Sequence, residues 1–238
     1  GSCGVKPVEV RVLFRAQTMK QKTIAIINDS EVTVGSLPSN ILSINAWDIN
    51  WDDLSLDDNY IILGGHMGSY DDQKFTYLQE EKQWLKYAIN ANVKILGICL
   101  GSQLIADAMG GAAFLSKNIE FGFKNLEFLI DDSLFDDFKN TKVFSWHRDT
   151  FNIPPEATLI AKTEYPQIYS IKNSLALQFH PEIKLDLFEN WYDSDISRQE
   201  LANYDVHSEL NYLKDNSKQL EKSMRNFYNK WIGFKHLK

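Results

Sequence analysis

The sequence predicts an open, doubly wound α/β sheet, mostly parallel and flanked by helices. Three observations point there. Short β-branched and aliphatic runs alternate with longer stretches of helical periodicity. The early runs are apolar throughout, as strands covered on both faces must be. The 238 residues contain no long Gly/Ser/Pro linker, no internal repeat and no low-complexity segment, so a single domain over 19–238 accounts for them.

The elements follow in order. "TIAII" (23–27) and "YIIL" (60–63) read as the first strands. "FTYLQEEKQWLKYAINAN" (75–92) places Leu78, Leu85, Ala88 and Ile89 on one helical stripe and Glu80, Lys82 and Lys86 off it. "VKILGI" (93–98) is the next strand, and "GSQLIADAMGG" a short helix with Leu104, Ile105, Ala108 and Met109 inward and a glycine stop. "TKVFSW" (141–146), "ATLIAK" (157–162), "IYSIK" (168–172) and "LALQF" (175–179) are strands spaced closely enough to include antiparallel ribbons. Beyond His180 the pattern turns helical, and 183–238 reads as a closure over the sheet whose composition equally suits a partner surface.

Composition narrows the function. A chain that is 44% hydrophobic and 13% aromatic can bury a sizeable core. Its net charge of -7 argues against a nucleic-acid surface. The apolar run 95–115 is a poor membrane span because Gln103 and Asp107 fall inside it. "GSCGVKPVEVRVLFRAQT" (1–18) precedes Met19 and reads as an expression leader. Setting it aside removes Cys3, leaves Cys99 as the one native thiol, and suits a reducing, cytoplasmic setting.

Cys99 sits in Gly97-Ile98-Cys99-Leu100-Gly101, where a strand meets a helix. This is the cysteine form of the G-x-S-x-G elbow, in which small flanking residues let the backbone pack closely around an exposed nucleophile. A helix amino terminus also favours a thiolate over a thiol. A buried structural cysteine would need neither glycine. An acyl-transferring thiolate requires an acid/base and a group to orient it. His180 in "FHPE" directly follows a strand, on the sheet edge expected for Cys99, and Glu182 can reach back to its imidazole. "ILGGHMGSYDD" (62–72) adds paired glycines whose N–H groups can face a developing oxyanion.

Together, "GGHMGSYD", "LGICLGSQLIADAMGG", "EFGF", "FSWHRDTF" and "LQFHPE" resemble a class I glutamine amidotransferase domain, in particular the glutaminase part of GMP synthase and its stand-alone relatives. The resemblance runs from about Asn28 to Glu182 and implies a flavodoxin-like core. It implies a Cys99–His180–Glu182 triad, an oxyanion hole at Gly65 and Leu100, and substrate contacts from Gln103, Gly122 and Phe123. It also implies that L-glutamine is cleaved through a cysteinyl thioester, with ammonia passing to a separate synthetase subunit or to solvent. No metal and no cofactor are expected. Many relatives carry proline where this chain has His66, which suits either a surface position or a substrate contact, the surface being favoured. His147 suits either the pocket lining or a hydrogen bond within its own segment.

The chain has no G-x-x-x-x-G-K-[ST] phosphate loop and no Ser-Gly-Gly-x-Asp-Ser stretch, so by itself it is not expected to make GMP. Three other readings compete. A γ-glutamyl peptidase would use the same residues and differ only on the leaving-group side of the pocket. A cysteine hydrolase of the α/β-hydrolase type would place its acid between Cys and His in chain order. A silent binding or regulatory module would keep the fold with a distorted oxyanion loop, for which His66 is the place to look.

Overall fold

The computed structural model describes residues 21–233; the expected leader lies outside them. The chain opens with β1 (Thr23–Ile27) and β2 (Leu42–Asn45), then two short 3-10 turns, β3 (Asn59–Ile62), α1 (Tyr77–Asn90), β4 (Ile95–Ile98) and α2 (Leu100–Ala108). A long strand β5 (Ala112–Lys124) and a short β6 (Glu127–Phe128) follow, then α3 (Asp136–Lys139) and β7 (Val143–Asn152). The last strands are β8 (Thr158–Lys162), β9 (Pro166–Ile171) and β10 (Ser174–Leu177), before α4 (Leu185–Tyr192), α5 (Asp195–Glu200) and α6 (Val206–Gly233).

Eight strands form one sheet in the order β2-β1-β3-β4-β10-β9-β8-β6. The first five run parallel, in the pattern of a doubly wound fold, and β9, β8 and β6 continue antiparallel. This is the mostly parallel α/β sheet that the sequence predicts. β5 and β7 pair separately as an antiparallel ribbon with an irregularity between Leu115 and Glu120.

Strand alternation divides the core between the two faces. Ile24, Ile26, Tyr60, Ile62 and Ile95 point to one side, where α1 and α2 supply Leu78, Trp84, Leu85, Leu104 and Ile105. Ala25, Ile61, Leu63, Leu96, Ile98, Leu175 and Leu177 point to the other, covered by α3 and by Met224, Phe227 and Trp231 of α6. A third cluster joins Phe121, Phe123 and Phe144 of the ribbon to Leu187 and Phe188 of α4. No helix among the described residues is long and apolar enough to cross a membrane.

Several elements depart from expectation. β2 has no apolar signature because it is an edge strand, with Leu42 exposed. β5 has no strand signature because its pattern "AAFLSKNIEFGFK" is largely exposed until Phe121, so no core imposes a period on it. β7 runs to Asn152 rather than Trp146, since pairing with β5 carries it beyond its apolar start. In α2, Leu104 and Ile105 are fully buried, whereas Ala108 and Met109 are only half-buried. In α1 the buried stripe also takes in Trp84 and the carboxyl-bearing Glu81.

Candidate active site

The carboxyl ends of four adjacent strands, β1, β3, β4 and β10, converge on one edge of the sheet. In open α/β sheets, this is where ligands bind. Cys99 follows β4 with φ 51 and ψ −109, a conformation L-residues rarely adopt. Its N–H donates to the Leu177 carbonyl at 2.8 Å. Its own carbonyl accepts from the Ser102 N–H at 2.9 Å, the Gln103 N–H at 3.2 Å and the Ser102 hydroxyl at 2.6 Å, so α2 begins at the cysteine itself. The flanking glycines are sterically required: a Cβ on Gly97 would lie 2.6 Å from the Gly101 carbonyl oxygen, and one on Gly101 would lie 2.2 Å from that of Ile62.

His180 lies across from Cys99. A Cβ on Gly64 would sit 3.2 Å from His180 Cε1 and 3.9 Å from Cys99 Sγ, so one point of glycine backbone borders both. His180 Nδ1 is 2.8 Å from Glu182 Oε1, and both residues are buried. Burial alone would push the imidazole down. The negative charges of Glu182 and Cys99, with hydrogen bonds to both, outweigh it and raise the pKa to about 10. The other Glu182 oxygen, Oε2, is buried with no hydrogen-bond partner among the described residues. The Ser36 N–H and hydroxyl each donate to the Glu182 carbonyl at 2.9 Å, which fixes the His-Pro-Glu turn.

Gln103, one turn along α2, donates to the Asp149 carbonyl at 3.5 Å and to Gln178 Oε1 at 3.4 Å. Gln178 Nε2 in turn donates to Cys99 Sγ at 3.7 Å. Gly65 packs beside the residue after the cysteine: a Cβ there would lie 3.1 Å from Leu100 Cδ2. Cysteine, imidazole, carboxylate and a glycine-rich turn are therefore gathered at the start of a helix, an arrangement suited to nucleophilic attack on an acyl group.

The family model for class-I glutamine amidotransferase matches residues 20–194. The chain belongs to this family. It is 34% identical over 129 residues to a glutamine-hydrolyzing GMP synthase of Brachyspira hyodysenteriae, covering 52% of this chain and 24% of that protein. It is 29% identical over 151 residues to one separate subunit of the glutamine-hydrolyzing GMP synthase of Methanothermobacter thermautotrophicus, covering 59% of this chain and 76% of its relative. The chain thus spans about a quarter of the Brachyspira synthase and about three quarters of the Methanothermobacter polypeptide. A crystal structure of a glutamine amidotransferase from Thermotoga maritima superposes with a TM-score of 0.79 at 25% identity, over 89% of this chain and 98% of that one.

In this amidotransferase, the segment "EFGF" pairs with β7, whose Phe144 carbonyl accepts from the His180 N–H at 2.8 Å. The Phe123 N–H donates to Glu209 Oε2 of α6 at 2.8 Å, and the Glu209 carboxylate fills the space beside Gly122. The amide expected to meet substrate is thus engaged by the chain's own helix. His147 is buried in a hydrogen-bonded network, with Nδ1 2.9 Å from the Asp149 carbonyl and Nε2 2.8 Å from Glu120 Oε2. It positions the segment that meets Gln103. The His66 side chain is 64% exposed, and its Nδ1 lies 2.6 Å from Asp29 Oδ2.

Several residues at the site carry little or no signal in the sequence. Gln178 is a fully buried amide in the apolar run "LALQF", and that polar interruption is its one available signal. The Asp149 carboxyl accepts from the Tyr70 hydroxyl at 3.0 Å, and burial raises it above the usual carboxylate range despite that bond. Trp191 of α4 sets its ring 4.7 Å from that of His180, centroid to centroid. Nothing local in "ENWYD" reveals that contact. Among the described residues, no cluster of three or more His, Cys, Asp or Glu side chains is arranged to hold a metal ion.

Proposed function

We propose that this chain hydrolyses the side-chain amide of L-glutamine through a thioester on Cys99. The observation that carries the reading is the placement of Cys99, on a strained strand-to-helix turn, across from a His180 whose Nδ1 lies 2.8 Å from Glu182 Oε1. The Cys99 sulfur attacks the amide carbon, and the N–H groups of Gly65 and Leu100 receive the negative oxygen. His180 gives its proton to the departing nitrogen, which leaves as ammonia. A water molecule then attacks the thioester while His180 takes its proton, releasing glutamate and restoring the thiolate. Glu182 keeps the imidazole oriented and supports its charge throughout. Gln103, joined through Gln178 to the Cys99 sulfur, is the side chain this reading assigns to holding the glutamine substrate.

Likeness to a GMP synthase polypeptide that is a subunit in its own right supports a division of labour in which the ammonia is consumed by a synthetase on another chain. The test is glutamate release from L-glutamine by the purified protein, beside Cys99→Ala and a panel of γ-glutamyl dipeptides. Turnover of glutamine should vanish in the variant, with the fold retained by circular dichroism. Turnover confined to the dipeptides would make the chain a γ-glutamyl peptidase, and turnover unchanged in Cys99→Ala would end the thioester mechanism.

A further inference from the structure

The Gly64–Gly65 pair is the most easily reoriented backbone at the site, because two adjacent glycines can flip the peptide between them at little steric cost. A flipped peptide would aim a carbonyl rather than the Gly65 N–H at the oxyanion. Upstream the pair is anchored in the sheet, where the Leu63 N–H donates to the Ile26 carbonyl at 3.0 Å. Downstream it is anchored by His66, whose backbone is held at both ends. The His66 N–H donates to Asp29 Oδ2 at 3.0 Å, and the ring Nδ1 lies 2.6 Å from the same oxygen. Asp29 is itself buried and also accepts from the Glu31 N–H at 3.0 Å. On the other side, Arg148 Nη2 donates to the His66 carbonyl at 2.9 Å.

Arg148 does not act alone. Its Nε lies 3.3 Å from Glu200 Oε1, at the end of α5, and the second Glu200 oxygen accepts from Trp146 Nε1 at 3.1 Å. One carboxylate thus ties the Arg148 guanidinium and the Trp146 indole to the C-terminal helices. A planar guanidinium can hold a carbonyl on one edge and a carboxylate on another, which a lysine ammonium does less rigidly. Proline at position 66 would have neither an N–H for Asp29 nor an imidazole to reinforce it.

We propose that Asp29, His66, Arg148 and Glu200 form a clamp that fixes the Gly64–Gly65 turn in its oxyanion-binding orientation, making the site competent without a partner chain. These are positioning residues: they act through the glycine backbone and not on substrate. The inference rests on the amide-hydrolase reading above, and the experiment separates failure of one from failure of the other.

The experiment measures kcat and KM for L-glutamine and for γ-glutamyl-p-nitroanilide in the wild type, Arg148→Ala, Glu200→Gln and the double variant. Iodoacetamide alkylation of Cys99 and the melting temperature are followed alongside. Each single variant should lose about fivefold or more in kcat, with KM and the alkylation rate unchanged, because the thiol is intact and only the oxyanion turn is freed. The double variant should be no slower than Arg148→Ala, since both changes open the same link. Unchanged kcat, multiplicative losses in the double variant, or a parallel fall in kcat, alkylation and melting temperature would each overturn the clamp. A wild type that alkylates rapidly yet turns over neither substrate would also overturn it, while leaving the nucleophile reading standing. A wild type that neither alkylates nor turns over would remove that reading and the clamp with it.

Discussion

At Cys99, backbone strain and chemistry coincide. A φ of 51 with ψ −109 costs on the order of 1–3 kcal/mol for a residue with a Cβ, and the surrounding hydrogen bonds to Leu177, Ser102 and Gln103 hold it there. That strain lifts the thiol out of the helix and toward His180. The imidazole has its own dependence on a single neighbour. Its folded pKa of about 10 stands above the ordinary 6.5. The stabilisation it contributes is therefore complete below pH 6.5 and lost as pH rises through about 10. Glu182→Gln removes the carboxylate charge behind that elevation. The variant should lose activity by about 100-fold or more, within the range for acid–base groups, and its alkaline activity limit should move to lower pH. A pH–rate profile from pH 6 to 10 checks this: an alkaline limb in the same place as the wild type's would show that Glu182 does not hold the imidazolium. Melting curves should differ most between the two proteins below pH 6.5 and converge toward pH 10.

Among the elements, α1 carries a conflict between its pattern and its chemistry. Leu78, Trp84, Leu85, Ala88 and Ile89 form an ordinary apolar stripe, but Glu81 lies on the same stripe and is fully buried. Its one side-chain partner among the described residues is Asn28, whose Nδ2 donates to Oε1 at 3.3 Å and also, at 3.4 Å, to the Leu63 carbonyl beside the glycine pair. Burial outweighs the Asn28 hydrogen bond and pushes the carboxyl up to about 8. The native state therefore keeps a proton that the unfolded chain releases near 4.5, and stability falls as pH rises from about 4.5 to 8. Over that window, the loss is on the order of several kcal/mol. Glu81→Gln, with no proton to release, should flatten this decline and melt above the wild type at pH 8 while differing little near pH 5. Thermal melts across that range decide it, and identical pH profiles would show that the buried carboxyl is not what destabilises the fold. Periodicity identifies the helix and its apolar stripe. It passes over Glu81, because hydropathy scores a carboxyl as exposed whatever surrounds it.

For the whole molecule, stability depends on the C-terminal helix. Met224, Phe227, Tyr228 and Trp231 fill the second face of the sheet, and Lys94 Nζ donates to the Trp231 carbonyl at 2.8 Å. Fully burying each such side chain is worth about 1.5–3 kcal/mol, so the four together outweigh the roughly 5 kcal/mol at the lower end of domain stability. A chain ending at Asp205 should lose its cooperative unfolding transition and bind a hydrophobic dye in native buffer. A cooperative melt within a few degrees of the full-length protein would show that α6 is an accessory. Much of this molecule can be read directly from its residues. The parallel strands are legible because each is apolar along its whole length, and the elbow because Gly97 and Gly101 bracket a lone cysteine at a strand-to-helix junction. His180 and Glu182 are legible because a short turn after a strand can only place them at the same sheet edge. Folding alone decided what converges on them from far along the chain: Trp191 against His180, Glu209 on the Phe123 amide, and Arg148 between His66 and Glu200. Those contacts depend on how separate layers pack, and local sequence encodes the layers far better than it encodes their meeting.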